Sequence, residues 1–246
     1  MSLAGRVAVV TGGGSGIGRA TSLRLARDGA AVAVWGRTAA STDETVEIIR
    51  SAGGRALACV GDATVKADIE RASSATRAEL GPISILINNA GKSPFSPFLE
   101  IKEEAFADVL HVNVVGPFLC AQMVLPDMLA AGWGRIVNIT SSITQDGVGT
   151  MAHYAASKSG LVGLTKAMAM EFADKGVTVN HIPVFFVETP MLHAAPLDLA
   201  GIAANTPMKR PGSADEVAAA CAYLVSDDAG YVNGQPLSLN GGRYLP

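Results

Sequence analysis

Short apolar runs rich in β-branched residues alternate with longer helical patterns along almost the whole chain. The runs are continuously apolar rather than alternating, which is typical of strands that are buried on both faces of a sheet. Seven segments have this character: Val7–Thr11, Ala31–Trp35, Ala56–Val60, Ile83–Asn88, Gly134–Thr140, Val177–Pro183 and Pro236–Leu239. The pattern predicts a parallel sheet of about seven strands.

The helical patterns between these runs carry ordinary start and stop signals. They are Ile17–Asp28, Thr42–Ala52 and Val65–Leu80, each followed by glycine, and Ala214–Ser226, preceded by Ser213 as an N-cap. Strands and helices that alternate at this size predict an α/β fold, a single doubly wound domain over residues 1–246 with helices on both faces. Residues 190–212 interrupt the alternation with several prolines, and we interpret them as a substrate lid, with a plain surface loop as the alternative.

Composition excludes some classes of partner. The chain is 49% hydrophobic and 17% charged, with a formal net charge of −3, so nothing favours nucleic acid or an anionic membrane. No signal peptide and no apolar stretch of about 18 residues is evident, and three widely spaced cysteines favour buried, reduced thiols. We therefore expect a cytoplasmic protein, and the spacing of the four histidines predicts no catalytic metal.

A glycine-rich segment, Thr11–Gly18, lies directly between the first strand and the first helix. Its spacing is neither GxGxxG nor that of a P-loop, because Arg19 and Ala20 stand where a P-loop has Lys and Ser or Thr. Glycines at such a place allow a sharp turn and the close approach of a pyrophosphate to a helix N-terminus. The segment predicts a dinucleotide-binding loop.

The residues after the second strand bear on which dinucleotide binds. Trp35-Gly36-Arg37-Thr38 offers no carboxylate for a free ribose 2′-hydroxyl, whereas Arg37 could pair with a 2′-phosphate. This favours NADP as the cofactor. The alternative is that Arg37 is a solvated loop residue and that NAD binds as well.

Tyr154 and Lys158 are four residues apart in a helical pattern and therefore share one face of that helix. A nearby ammonium favours the phenolate and lowers the pKa of a tyrosine toward working pH, so Tyr154 could give or take a proton. Ser141 directly follows the fifth predicted strand, at the sheet edge where α/β folds bind ligands, and its hydroxyl could polarise a carbonyl. Each residue alone could have a purely structural role, with the Ser as a cap, the Tyr in the core and the Lys in solvent. Together they favour an oxidoreductase that interconverts a carbonyl and a secondary alcohol.

These segments, taken in order, resemble the short-chain dehydrogenase/reductase family, and the resemblance covers nearly the whole chain. The motifs that carry it are TGGGSGIG (Thr11–Gly18), Asp62, NNAG (Asn88–Gly91), Asn113 in HVNVVG, Ser141, the Tyr154–Lys158 pair, Val179-Asn180, ETPM (Glu188–Met191) and NGG (Asn240–Gly242). The resemblance implies a Rossmann-type fold and an NAD(P)-dependent enzyme.

The resemblance also implies roles for single residues. Tyr154 would be the acid and base, and Ser141 would orient the substrate oxygen. Lys158 would bond the nicotinamide ribose and lower the pKa of Tyr154, while Asn113 would hold a water in a proton relay. Further cofactor contacts would come from Gly12, Ser15, Gly16, Ile17, Gly18, Arg37, Thr38, Asp62, Ala63, Asn89, Ala90, Gly91, Val187 and Thr189.

One segment departs from the family pattern. Val184-Phe185 stands where the family usually has Pro-Gly after the sixth strand. Glycine permits close backbone approach and a positive φ, whereas Phe185 brings a bulky ring. Three interpretations stay open: a reshaped apolar pocket, a shifted loop that weakens cofactor binding, or residues introduced deliberately, together with Gly36, to alter specificity.

The residues expected around the substrate are almost all uncharged. They are Ser142, Val184, Phe185, Phe186 and Met191. Such walls favour a neutral ketone or alcohol, apolar or bulky, as the small-molecule substrate. The alternative is a 3-oxoacyl-carrier-protein reductase, ranked lower because Leu129–Trp133 lacks basic residues that would meet an acidic carrier; a dinucleotide sensor without catalysis is ranked lowest.

Two helical patterns, Phe106–Ala121 and Ala155–Phe172, carry apolar residues beyond a single face. A helix that is apolar on a second side has to bury that side against something. Together with the resemblance, this predicts a homotetramer; a larger core is the alternative.

Overall fold

The computed structural model describes residues 2–245 and is built on one parallel sheet in the order β3-β2-β1-β4-β5-β6. The strands are β1 (Val7–Thr11), β2 (Ala31–Gly36), β3 (Ala56–Val60), β4 (Ile85–Asn88), β5 (Gly134–Ser141) and β6 (Val177–Val184). The strand order reverses between β1 and β4, and this switch point is where α/β sheets open a ligand crevice. The predicted doubly wound α/β fold is confirmed.

Helices cover both faces of the sheet. They are α1 (Gly16–Arg27), α2 (Ala39–Ser51), α3 (Lys66–Glu79), α4 (Glu103–Leu110), α5 (Gly116–Ala131), α6 (Ile143–Asp146), α7 (Ala152–Phe172), α8 (Pro190–His193), α9 (Leu199–Asn205) and α10 (Ala214–Leu224). Alternate residues of β1 enter two different apolar clusters: Val10 packs with the cluster that includes α1 and α10, and Val9 with the one that includes α3 and α5. Burial on both faces explains why the strands read as continuous apolar runs.

The seventh predicted strand, Pro236–Leu239, lies parallel to β6 without forming a regular strand. Isolated bridges join Pro236 to His181 and Leu239 to Val184, so the sheet of the described residues has six strands and not seven. Backbone hydrogen bonds flank the gap: the N–H groups of Leu237 and Leu239 donate to the carbonyls of His181 and Pro183 at 3.0 Å each. Pro183 of β6 has no N–H to donate back to the Leu237 carbonyl, so the ladder is interrupted at its centre.

A π-helical turn, His111–Val115, joins α4 and α5 into one continuous helix, Glu103–Ala131. By length and composition alone this helix could cross a membrane, which the sequence did not lead us to expect. Val124 and Met128 are fully buried against the sheet. The apolar composition is therefore that of a core helix, with a second apolar side that includes Phe118 left exposed.

Candidate active site

A cleft of about 420 Å³ opens at the carboxyl ends of the strands. Most of the residues that the sequence singled out line it. They are Gly12, Ser15, Gly16, Ile17, Arg37, Thr38, Asp62, Ala63, Asn89, Ala90, Gly91, Tyr154, Lys158, Val184, Thr189 and Met191. The structure places Gly18, Asn113, Ser141, Ser142, Phe185, Phe186 and Val187 outside this lining.

The glycine loop forms a cradle that side chains would fill. Gly12 and Gly16 have φ values of +65° and +49°, which favour glycine. A Cβ on Gly18 would lie 2.1 Å from the carbonyl oxygen of Gly12, so α1 packs directly against the loop. The first turn of α1 has no acidic residue and no side-chain cap, which leaves its N–H groups free for an anion. The loop therefore fits the pyrophosphate of a dinucleotide.

Asn89 ties the end of β4 to this loop. Its Nδ2 donates to the carbonyl oxygens of Thr11 at 2.9 Å and Gly12 at 3.3 Å, and its backbone N–H donates to Thr11 Oγ1 at 3.0 Å. The Asn89 side chain is thus a structural clamp, and its backbone is what faces the cleft.

Arg37 stands at the open rim of the cleft. Its side chain is 79% exposed, and Nη1 lies 3.9 Å from a carboxylate oxygen of Asp62. Asp62 in turn accepts hydrogen bonds from the backbone and the hydroxyl of Thr64. An ion pair this long and exposed contributes little, so the guanidinium is free to meet a ligand.

Tyr154 and Lys158 lie side by side in the first two turns of α7. Lys158 Nζ is 5.8 Å from the centre of the Tyr154 ring and donates to the carbonyl of Ile139 on β5 at 2.8 Å. Desolvation lowers the pKa of Lys158 from 10.5 to about 8. Lys158 is therefore still mainly an ammonium at neutral pH, but it loses its proton more readily than an exposed lysine.

The pKa of Tyr154 is raised by burial, and a side-chain hydrogen bond with Ser141 only partly opposes the rise. The nearby ammonium of Lys158 suggested the opposite direction from sequence. Desolvation outweighs it because the phenolate would be a buried charge. Tyr154 is therefore a protonated phenol at neutral pH, which is the state that can donate a proton.

Ser141 and Ser142 have different surroundings at the end of β5. Ser141 pairs with Val184 in the β5–β6 register, and its hydroxyl also accepts from the N–H of Ile143 at 3.3 Å. Ser142 is almost fully buried and donates its N–H to the carbonyl of Val184 at 2.9 Å. Ser141 is the hydroxyl within reach of Tyr154, whereas Ser142 holds the turn.

Asn113 lies in the π-helical turn and is fully buried. Its Oδ1 accepts from the N–H of Lys92 at 3.0 Å, and its Nδ2 donates to the Lys92 carbonyl at 2.9 Å and to Ser157 Oγ at 3.0 Å. Ser157 donates in turn to the carbonyl of Tyr154. The Asn113 side chain thus fixes the chain after Gly91 relative to the helix of Tyr154, and π turns are frequent at functional sites.

Val184 and Phe185 lie in two different cavities. Val184 lines the cleft, whereas Phe185, Phe186 and Val187 line a second cavity of about 330 Å³ beside Leu239. Among the described non-glycine residues only Thr150 and Lys209 have a positive φ, so the chain does not need glycine at position 185. The Phe185 ring therefore lies outside the cofactor cleft.

Lys92 lines the cleft and was given no role by the sequence analysis. Its Nζ forms an ion pair with Asp108. The available signal was its place directly after Asn89–Gly91. The cleft is therefore less neutral than the sequence suggested.

We expect the buried ammonium of Lys158 to make stability depend on pH. Its pKa is lowered in the folded state, so the unfolded chain binds more protons between pH 8 and 10.5. The free energy of unfolding should then rise with pH across that window, by about 3 kcal/mol, and be lower below it. Urea unfolding of the wild type and Lys158→Met at several pH values measures this.

Lys166→Met is the control, because Lys166 is an exposed lysine of the same helix. Its pH dependence should match the wild type, while that of Lys158→Met should be flatter. Parallel curves for the wild type and Lys158→Met would show that Lys158 is not a desolvated cation.

Comparison with known proteins agrees with this geometry. The family model described as short chain dehydrogenase matches residues 6–199. The 3-oxoacyl-[acyl-carrier-protein] reductase of Escherichia coli is 38% identical over 246 residues, 100% of both chains.

Two solved structures are similar over nearly their full length. A 7α-hydroxysteroid dehydrogenase in complex with NADH and 7-oxo glycochenodeoxycholic acid has a TM-score of 0.95 and 32% identity, covering 98% of this chain and 95% of that one. A putative NAD(P)-dependent gluconate 5-dehydrogenase from Beutenbergia cavernae with bound NADP has a TM-score of 0.91 and 40% identity, covering 98% and 97%. Both kinds of nicotinamide dinucleotide thus occur among the similar structures.

Proposed function

We propose that this chain, which belongs to the short-chain dehydrogenase family and is an NAD(P)-dependent oxidoreductase, reduces the 3-oxo group of an acyl thioester to a 3-hydroxy group. One observation carries the proposal. Tyr154 lines the cleft that also holds the glycine loop, its protonated phenol is hydrogen-bonded with Ser141, and Lys158 Nζ lies 5.8 Å from the centre of its ring.

Relatives and geometry both favour a 3-oxoacyl thioester over a bulky apolar ketone. The Escherichia coli reductase that matches the whole chain acts, by its name, on 3-oxoacyl-[acyl-carrier-protein]. The bulky-ketone interpretation relied on Phe185 and Phe186 as walls of the substrate pocket, and both rings line the second cavity instead. The interpretation first ranked lower therefore becomes the main one.

The lack of basic residues in Leu129–Trp133 does not weigh against an acyl carrier. That segment comprises the last residues of α5 and the turn into β5, so it lies at the amino edge of the sheet, opposite the cleft. Its composition has no bearing on the mouth of the cleft in the same chain.

The residues of the cleft fit a dinucleotide. The glycine loop would hold the pyrophosphate, with Thr189 beside Gly16, and Asp62 and Ala63 would meet the adenine. The bound nicotinamide supplies the hydride for reduction. Lys158 would hold the ribose next to it.

The chain's own groups handle the proton. The Ser141 hydroxyl donates a hydrogen bond to the ketone oxygen and polarises the carbonyl. Tyr154 gives its proton to that oxygen as it becomes an alkoxide, and the Lys158 ammonium stabilises the phenolate that remains. A relay water at Asn113 would use its backbone carbonyl, because the side-chain amide already makes three hydrogen bonds.

We also propose a lid and an assembly. Pro190 and Met191 line the cleft at the start of residues 190–212, while much of α8 and α9 is exposed, as in a lid. Phe118 on α5 and Met170 on α7 are exposed apolar residues, which favours burial between subunits of a homotetramer. We propose a single-domain cytoplasmic enzyme that uses NADP in preference to NAD.

Arg37→Ala tests the cofactor preference. The variant should lose about tenfold or more in affinity for NADPH, because it loses a charge-assisted bond to the 2′-phosphate. Affinity for NADH should change much less. Titration of the nicotinamide fluorescence with each dinucleotide measures both values.

Arg27→Ala is the matched control, since Arg27 is exposed at the end of α1 and away from the cleft. It should leave the NADPH to NADH ratio as in the wild type. Equal losses for both dinucleotides in Arg37→Ala would contradict a phosphate site at Arg37.

The function itself is tested with three substrates. Acetoacetyl-CoA, acetoacetyl-carrier protein and a bulky aryl ketone are offered to the wild type with NADPH and NADH side by side. We expect kcat/KM for a thioester to exceed that for the aryl ketone by at least about tenfold. Turnover of the aryl ketone alone would restore the bulky-ketone interpretation.

A further inference from the structure

Lys92 is the charged residue of the cleft to which the mechanism gives no role. The charged residues in the lining are Arg37, Asp62, Lys92 and Lys158. The first two stand at the rim after β2 and β3, and Lys158 is bonded to the carbonyl of Ile139. Lys92 is therefore the cation that remains for a substrate.

Its position is next to the reacting groups. A Cβ on the preceding residue, Gly91, would lie 3.5 Å from Lys158 Nζ. The charge of Lys92 also acts on His153, the neighbour of Tyr154 in the chain. Lys92 thus lies at the end of the cleft where the carbonyl would react.

The backbone of Lys92 is held rigidly. Asn113 bonds both its N–H and its carbonyl oxygen with one side-chain amide, at 3.0 and 2.9 Å. The origin of the lysine side chain is therefore fixed relative to Tyr154, and less ordering is needed when a ligand binds. A cation on such a fixed backbone is suited to selecting a substrate.

The present partner of the ammonium is weakly held. Asp108 is 60% exposed on α4, and the Lys92 side chain is 35% exposed. Ion pairs between such exposed groups contribute little, so a substrate anion can share or replace Asp108 at small cost. His153 is no competing charge, because it is buried and desolvation lowers its pKa.

We infer that Lys92 is a specificity-determining residue that binds a carboxylate on the substrate. The enzyme then favours 3-oxo acids, or acyl units that carry a free carboxylate, over matching neutral ketones. An ammonium–carboxylate hydrogen bond is charge-assisted and is stronger in a partly dry cleft than in water. This inference rests on the proposed reduction of 3-oxo groups and extends it from thioesters to free 3-oxo acids, in which the carboxylate stands where the thioester would be.

Acetoacetate and methyl acetoacetate form a matched pair of probes, since both have a 3-oxo group and only the first is an anion. The measured quantity is the ratio of their kcat/KM values, in which general damage to the enzyme cancels. Lys92→Met should lower this ratio about tenfold or more, through the KM for acetoacetate. Lys92→Arg should keep most of the ratio.

A second variant should move the ratio the other way. Asp108→Asn removes the competing carboxylate, so the ratio should rise above that of the wild type. Lys102→Met is the control for loss of one positive charge, because Lys102 precedes α4 and lies outside the cleft. Its ratio should equal that of the wild type.

Calorimetric titration with acetoacetate gives a readout that does not depend on turnover. Wild type should bind it more tightly than Lys92→Met by about the same factor. Equal affinities, or a ratio that is unchanged in Lys92→Met, overturn the carboxylate site. If the carboxylate site is overturned but the wild type still reduces acetoacetyl-CoA, the proposed function stands without that site. If the wild type reduces none of the probes, the proposed function fails, and the calorimetric titration alone decides whether Lys92 binds a carboxylate.

Discussion

Replacing Tyr154 by phenylalanine should lower kcat for 3-oxoacyl reduction by about a thousandfold. The hydroxyl is the group that donates the proton, and burial keeps it protonated at neutral pH. Ser141 and Lys158 remain in the variant, but neither is placed to transfer a proton in its stead. The loss should therefore appear in kcat, with a small change in KM.

The rate is measured by oxidation of the nicotinamide with acetoacetyl-CoA, and dinucleotide affinity is measured beside it to separate chemistry from binding. Tyr231→Phe is the matched control, because Tyr231 is fully exposed. It should keep the wild-type rate. Reduction at a near-normal rate by Tyr154→Phe would mean that another group donates the proton.

Gly18→Ala should destabilise the protein and disable the phosphate cradle together. The new Cβ would lie 2.1 Å from the Gly12 oxygen and 2.6 Å from Asn89 Nδ2, distances that no side chain tolerates. Either α1 or the loop has to move, at a cost of about 3 kcal/mol, which is roughly 6–12 °C in Tm for a chain of this length. Dinucleotide affinity should fall more than tenfold because the loop no longer fits the pyrophosphate.

Gly163→Ala is the matched control. Gly163 lies within α7, and a Cβ there would meet nothing within 4 Å. Alanine should stabilise this helix by up to about 1 kcal/mol, since it is the better helix former. Sedimentation of both variants checks that their oligomeric state is that of the wild type. A Tm of Gly18→Ala equal to that of the wild type would contradict the close packing of Gly18 against Gly12.

The fold could be predicted from sequence because its strands are buried on both faces. Val9 and Val10 pack into apolar clusters on opposite faces of the sheet, so both faces of the strand are apolar and the strand appears in the sequence as a continuous apolar run. The terminal segment at Pro236–Leu239 has the same apolar character, but Pro183 of β6 lacks the N–H that would bond to Leu237, and this keeps the segment from forming a regular strand. Composition alone does not show such a loss of pairing.

It was also predictable from sequence that the site residues lie close together, since the carboxyl ends of the strands meet at one edge of the sheet. The direction in which a loop side chain points could not be predicted. Phe185 looked like a wall of the pocket because it follows the strand, yet an extended chain points successive residues to opposite sides, and only Val184 reaches the cleft. The same limit hid Lys92, whose backbone position depends on the distant side chain of Asn113.

The direction of the Tyr154 pKa was beyond the sequence for a different reason. The spacing of Tyr154 and Lys158 shows that an ammonium is close, and a nearby positive charge lowers the pKa of a phenol. Only the folded chain shows that both groups lose much of their contact with water, and this desolvation raises the pKa of Tyr154. The balance favours a proton donor at rest, which suits reduction.

The most direct test of the proposed 3-oxoacyl reduction follows the hydride from the nicotinamide to the substrate. Wild-type enzyme is given acetoacetyl-CoA and a dinucleotide that carries deuterium at C4 of the nicotinamide, on each face in turn. The account predicts that one of the two labelled forms transfers a single deuterium to C3 of the product, giving a 3-hydroxyacyl thioester. Oxidation of both labelled forms without label at C3, or no turnover with either form, would contradict the reduction of a 3-oxoacyl group by this protein.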